Sequence, residues 1–164
     1  MGKCLVWLNG RLYSSCHYRK MEGRIEMKKI VLHGRKVYGG TGEGEAIVTK
    51  QGVAFCAGMD PLTGEVTERG HELRNKSIAG KVLVFPFGKG SSAFSKAAFA
   101  LWLAGKAPKA WIIGEVNPQT ALASVVMHTP AVTDLDREPT EVIASGDWVK
   151  VDGDKGIVEV TKKD

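Results

Sequence analysis

The run Gly88-Lys89-Gly90-Ser91-Ser92 lies inside FPFGKGSSAFSKAAFALWLAGKA, Phe85 to Ala107, between an apolar segment and a helical pattern. A glycine-rich turn from the carboxyl end of a parallel strand into a helix gathers free backbone N–H groups and the positive end of the helix dipole. Anions bind at such a point. Gly88 and Gly90 let the backbone approach a ligand closely, Lys89 adds a positive charge, and Ser91 and Ser92 offer hydroxyls. A serine there can also act as base or nucleophile, because Lys89 and the helix terminus lower its pKa. Plain N-capping by Ser91 or Ser92 uses the same residue types, and spacing leaves both readings open. GKGSS does not match the phosphate loop of nucleotide hydrolases, whose glycine spacing and Lys-Ser/Thr order differ. The hydrolase elbow G-x-S-x-G is absent from it.

The elements that must hold this turn follow from periodicity. KVLVFPF reads as a buried strand, SAFSKAAFALWLAG as a helix with Phe94, Ala98, Leu101 and Trp102 at core spacing, and AWIIGEV as the next strand, a βαβ unit. Asn117-Pro118 supplies an N-cap and a first-turn proline for PQTALASVVMH, after which PAVTDL returns as a strand. WVKVDGDKGIVEV closes as a hairpin around Asp152–Gly156. Upstream, KKIVLHGRKV and GEAIVTK read as a pair of strands with the glycine-rich GGTGEGE as the turn or loop between them. VAFCAG reads as a further strand. MDPLTGEVTERGHELRNKSIAG is a long polar loop with its turn at Pro61-Leu62-Thr63-Gly64, of a length that is usually functional or mobile. The class is α/β with an antiparallel β portion.

Composition narrows the function. A chain of 164 residues, 43% hydrophobic and 25% charged, suits one domain with a real core. The net charge of +5 is unevenly placed: Lys3, Arg11, Arg19, Lys20 and Arg24 against Glu22 and Glu26 put +3 of it in residues 1–26. No basic stripe interleaved with aromatics remains, which argues against nucleic acid. No run approaches a membrane span, and the N-terminus lacks a signal-peptide pattern, so a cytoplasmic location is expected. Cys4, Cys16 and Cys56 have no metal-ligand spacing, so no metal site is expected, and Cys56 reads as a buried small hydrophobe. Residues 1–26 show no sustained period and read as an N-terminal extension to a domain over 27–164. Met27 is the expected natural start, since Glu22-Gly23-Arg24 can be encoded by a purine run resembling a ribosome-binding site.

GKVLVFPFGKGSSAFS, with GEGEAIVTK, GMDPLTGEVTERGHEL and SGDWVKVDGDKGIVEV in order, resembles the small subunit, or swivelling domain, of the aconitase X family. The resemblance covers Met27 to Val160. It implies the swivelling β/β/α fold of aconitase's mobile domain. It also implies a large catalytic partner subunit, in a heterodimer or higher assembly, that carries the iron–sulfur cluster, with none bound by this chain. The first serine after the G-[RK]-G turn, here Ser91, is by that resemblance the base that removes a proton, while cluster iron acts on the hydroxyl as a Lewis acid. Gly88, Lys89, Gly90 and Ser92 are then substrate-binding, and the substrate is a small phosphorylated or carboxylate molecule. For archaeal members the implied reaction converts (R)-5-phosphomevalonate to trans-anhydromevalonate 5-phosphate in a mevalonate pathway. Lys89 stands where many relatives would show arginine, which keeps charge but loses bidentate reach.

Other readings stay open beside it. Further aconitase X members dehydrate hydroxyproline isomers, and a non-enzymatic swivelling or ligand-binding module is the remaining class. A phosphohistidine carrier shares the swivelling shape and the late G-D-x-V-x-V-D-G-x-x-G run, but needs a histidine where this chain has serines. Asp60 and His71 flank the long loop as candidates for the interface or substrate. His33, His128, Trp111 and Trp148 read as structural.

Overall fold

The unbroken apolar runs VLVF and AWII reflect a sheet covered on both faces. In the computed structural model, which describes residues 5–8, 11–14 and 29–163, the first strands are β1 (Leu5–Leu8), β2 (Arg11–Ser14), β3 (Lys29–His33), β4 (Arg35–Tyr38) and β5 (Thr41–Val48). Next come β6 (Val82–Phe87), α1 (Phe94–Leu103), β7 (Ala110–Glu115), α2 (Pro118–Val126) and β8 (Ala131–Thr133). The short α3 (Pro139–Val142) and the hairpin of β9 (Trp148–Asp152) and β10 (Ile157–Thr161) complete the chain.

Eight strands run in the order β3-β10-β9-β5-β6-β7-β8-β4. The β5-β6, β6-β7 and β7-β8 pairs are parallel and the others antiparallel. The two outermost strands are neighbours in sequence, separated only by Gly34. One strand thus borders both ends of the sheet, pairing through β3 with β10 and through β4 with β8. At the opposite side β5 performs the same service, pairing with β9 over Thr41–Glu45 and with β6 over Ala46–Val48. The sheet therefore folds over on itself into two layers, and the helices make a third.

Each layer boundary has its own core. Val82, Val84, Ala110 and Ile112 join Leu32, Ala46, Val149, Val151, Val158 and Val160 between the sheet layers. Leu83, Phe85, Trp111 and Ile113 face the other way, onto Phe94, Ala98 and Leu101 of α1 and Ala123 of α2. The period-2 pattern of a doubly covered strand requires this split.

Several expectations are corrected. KKIVLHGRKV is not one half of a hairpin with GEAIVTK: its two halves pair elsewhere, because Gly34 sits where the strand changes layers. GGTGEGE is mostly strand β5, not a turn. Its Gly42 lies so close to Lys109 that a Cβ would fall 2.0 Å from that carbonyl oxygen, so glycine marks a close backbone approach. VAFCAG is not a strand; it makes one bridge, Val53 to Gly88, and then turns. Cys56 is exposed there rather than buried, while Cys4 and Cys16 lie outside the described residues. Trp102 and Trp148 are 40% and 53% exposed, so core spacing misplaces Trp102, and of these two and Trp111 it is Trp111 that is buried in the core. Residues 1–26 contain the antiparallel β1–β2 pair, Leu5 opposite Ser14 through Leu8 opposite Arg11, which periodicity did not reveal. Met27 lies outside the described residues. Among the described residues, no helix is long and apolar enough to cross a membrane.

Candidate active site at the Gly88–Ser92 turn

β6 ends at Phe87, at the carboxyl edge of the parallel strands, and the chain turns through Gly88–Ala93 into α1. Three contacts fix the start of this turn. Val53 N–H donates to the Phe87 carbonyl at 3.0 Å, and Lys89 N–H donates to the Val53 carbonyl at 2.8 Å. Asn117 Nδ2 donates to the Gly88 carbonyl at 2.9 Å. Gly88 is buried, and a Cβ on it would stand 2.4 Å from Thr120 Cγ2 and 3.2 Å from the Phe94 ring. Its glycine is needed for packing. Gly90 is different: a Cβ there would meet only the Gln119 side chain, at 3.7 Å and beyond.

The capping reading of the two serines is met only in part. The N-cap of α1 is Ala93, and no side chain caps it. Ser91 Oγ accepts from Ala93 N–H at 3.3 Å, a turn two residues long, and the Ser91 carbonyl accepts from Phe94 N–H at 3.0 Å. Both serines are exposed. Among the described residues the N–H groups of Gly90, Ser91 and Ser92 meet no acceptor. The turn thus presents three free N–H donors and two hydroxyls at the positive end of a ten-residue helix.

Lys89 is not a free charge. Its ammonium is paired with Glu68 of the long loop. Glu68, Arg69, His71, Gln51, Phe87 and Lys89 border one open depression beside the turn. The long loop that brings them there is packed onto the fold, with Met59, Val66, Leu73 and Ile78 buried in the helix-side core. Its turn is as expected: Gly64 N–H donates to the Asp60 carbonyl at 2.8 Å and Gly64 has φ +73°. The loop is tied to the end of β5 by Glu72, which accepts from the Thr49 hydroxyl and the Lys50 N–H, while Gln51 Oε1 accepts from Glu72 N–H. The Thr49 hydrogen bond, with the backbone N–H groups, holds the Glu72 carboxyl below the usual range despite its partial burial.

Of the two loop candidates, His71 borders this depression and Asp60 does not. Asp60 Oδ1 accepts from Leu62 N–H at 2.8 Å, a local turn contact. His71 is 5% exposed, and its Nδ1 accepts from Leu73 N–H at 3.1 Å. His128 hydrogen-bonds the Tyr38 hydroxyl at 3.2 Å, and His33 sits exposed on β3. Glu68 and Arg69 border the depression and Asn117 tethers the turn, placements that sequence reasoning missed or assigned only to capping. The signal available was the charged Glu-Arg-Gly-His run within a loop too long to be a plain connection. Among the described residues no group of three or more His, Cys, Asp or Glu side chains could hold a metal ion, and Cys56 stands alone, so this set does not fit an iron–sulfur cluster.

Two sheet layers, one helix layer and an anion-ready turn at the carboxyl end of a parallel strand define a swivelling β/β/α domain. The aconitase X swivel domain profile matches residues 31–160, and the chain belongs to that family. The phosphomevalonate dehydratase small subunit of Thermococcus onnurineus is 45% identical over 129 residues, 79% of this chain and 97% of that protein. The protein of the same name from Methanocella arvoryzae is 40% identical over 130 residues, 79% of this chain and 98% of that one. The crystal structure of Thermococcus kodakaraensis aconitase X in its holo form matches with a TM-score of 0.77 at 42% identity, over 81% of this chain and 99% of that chain. These curated relatives are small subunits of a hydro-lyase, and this chain is an enzyme subunit of that kind.

Proposed function

We propose that the chain is the small subunit of a two-chain dehydratase that converts (R)-5-phosphomevalonate to trans-anhydromevalonate 5-phosphate, with Ser91 as the proton acceptor. In the elimination a C–H bond breaks and its proton goes to the Ser91 alkoxide, its electron pair forms the C=C bond as the C–O bond breaks, and the hydroxide that leaves with the C–O electrons becomes water by taking up the proton that Ser91 received, which restores the alkoxide. The observation that carries the reading is the exposed Ser91 hydroxyl on an uncapped helix start whose neighbouring N–H groups are unengaged. That field favours the alkoxide over the neutral alcohol, and closure by a partner strengthens it by excluding water. Gly88, Lys89, Gly90 and Ser92 form the substrate-binding turn, and the substrate's anionic group is the natural guest of its donors. The large subunit is the partner that completes the site, and the family's iron–sulfur cluster is assigned to it.

The test is reconstitution. The chain purified alone is expected to fold without iron and to show no turnover. Joined to its large subunit, it should dehydrate phosphomevalonate. Full activity or retained iron in the isolated chain would count against the two-chain reading, and turnover of a hydroxyproline isomer in place of phosphomevalonate would move the substrate within the family.

A further inference from the structure

The ion pair at the candidate site leaves two atoms unmet. Glu68 Oε2 and His71 Nε2 are buried, and among the described residues neither has a hydrogen-bond partner. They are opposite in kind. An ionised carboxylate only accepts, whereas a neutral His71 whose Nδ1 accepts from Leu73 carries its proton on Nε2 and donates there. The two residues are three apart in one loop, and both border the depression that Lys89 also borders. Elsewhere the protein serves its buried carboxylate fully: Asp147, 3% exposed, takes Lys162 Nζ and the N–H groups of Ala144 and Lys163.

The two members are held by different partners. His71 precedes Glu72, which is held at the end of β5, and its own ring is fixed by Leu73. The Glu68 carboxylate is held by Lys89. The two side chains of this pair are 26% and 41% exposed, a setting in which an ion pair adds little net stability. An unpartnered buried donor or acceptor carries a larger penalty.

We infer that the Glu68–Lys89 pair is a latch that an anion releases: a phosphate or carboxylate oxygen of the substrate takes Lys89, and the Glu68 carboxylate turns to the Nε2–H of His71. After the exchange the cation meets an anion and the orphan donor meets an acceptor. No covalent bond changes. Glu68 and His71 are positioning residues in this scheme, since they set the availability of Lys89 and touch no reacting atom. The inference rests on the Gly88–Ser92 turn being the substrate site.

The decisive experiment compares Glu68→Gln and Lys89→Gln in the full chain assembled with its large subunit. Removing the latch's carboxylate should lower KM by about 3–5-fold, the scale of a part-exposed ion pair, and removing its ammonium should raise KM by at least as much. A pair that only supports structure would move both KM values the same way or move neither, and either result overturns the latch. In the wild-type assembly the 15N signal of His71 Nε2 should shift when substrate binds; an unmoved signal also overturns it. Should the wild-type assembly fail to dehydrate phosphomevalonate, the functional reading falls on its own. The latch is then decided by calorimetry of inorganic phosphate binding to the full chain: tighter for Glu68→Gln and weaker for Lys89→Gln, any other order overturning it.

Discussion

The β6–α1 and β7–α2 junctions are topological twins, each carrying a parallel strand into a helix on the same face of the sheet, yet their chemistry is opposite. At the second, Asn117 Oδ1 accepts from Thr120 N–H at 2.9 Å and Thr120 Oγ1 accepts from Asn117 N–H at 3.0 Å, with Pro118 opening the helix. That junction is closed by its own side chains. At the first, the cap position is an alanine, and the N–H groups of Gly90, Ser91 and Ser92 have no acceptor among the described residues. A cap contributes about 1 kcal/mol, so α1 begins with less support than α2. What it gains is a set of donors available to a ligand. The contrast shows which of two similar turns keeps donors unengaged, and Asn117, reaching from the closed one to the Gly88 carbonyl, ties them together.

The contrast can be broken most sharply at Ser91. In the reconstituted complex Ser91→Ala should cut turnover by about 10²-fold or more, the scale of a positioned proton acceptor, while its melting temperature stays near wild type. Ser92→Ala should lose far less. Equal small losses for both would remove Ser91 from its role, and a large loss for Ser92 alone would move that role by one residue.

The two glycines of the turn give the next effect. Gly88→Ala drives a methyl into Thr120 and Phe94 and should cost about 1–3 kcal/mol of stability. Gly90→Ala has room, so denaturant melts should show little change; if it loses activity in the assembled enzyme, the methyl is meeting substrate or partner. Asn117→Ala removes a cap and the Gly88 tether together, and should destabilise by about 1–2 kcal/mol in the same melts. An unchanged melting curve would show that the two junctions are independent.

The smallest effect concerns the loop that flanks only the first junction. Because the folded-state pKa of Glu72 is depressed, its contribution is fully present above the ordinary glutamate value of about 4.3 and is lost as pH falls below it. Glu72→Gln should therefore melt slightly lower than wild type at neutral pH, with the gap closing in acid. A gap that persists at pH about 3 would mean that the carboxylate's charge is not what holds the loop.

How much of this was legible in the sequence depended on whether local pattern and tertiary need agreed. β6, α1, β7, α2 and the β9–β10 hairpin were readable because their periodicity, the Asn117-Pro118 start and the Asp152–Gly156 turn all point the same way. The strand β5 was not, since its glycines answer to the Lys109 carbonyl across the fold, and a local rule reads them as a turn. The pairing of KKIVLHGRKV was lost for a related reason: its partners, Ile157–Thr161 and Ala131–Thr133, are remote in sequence. At the candidate site, Gly88 through Ser92 were singled out by residue type, and they form the turn that leads into α1. The counterion of Lys89 lies 21 residues away in a loop without periodicity, where no spacing rule selects Glu68 over its charged neighbours.

The strand that borders both ends of the sheet has a further consequence for the order of events during synthesis. Lys29–His33 finds its partner only in Ile157–Thr161, so the first strand of the eight waits for the last. Until Ile157–Thr161 leaves the ribosome, both the β3 edge and the β9 edge stay open, and a chain with such non-local pairing closes slowly. Parallel strands β5 to β8 can assemble earlier with α1 and α2, which makes the helix-bearing half the natural nucleus and the two-layer closure a late step. A ribosome stalled a few residues short of Thr161 would hold a domain with its Gly88–Ser92 turn formed and its sheet still unsealed.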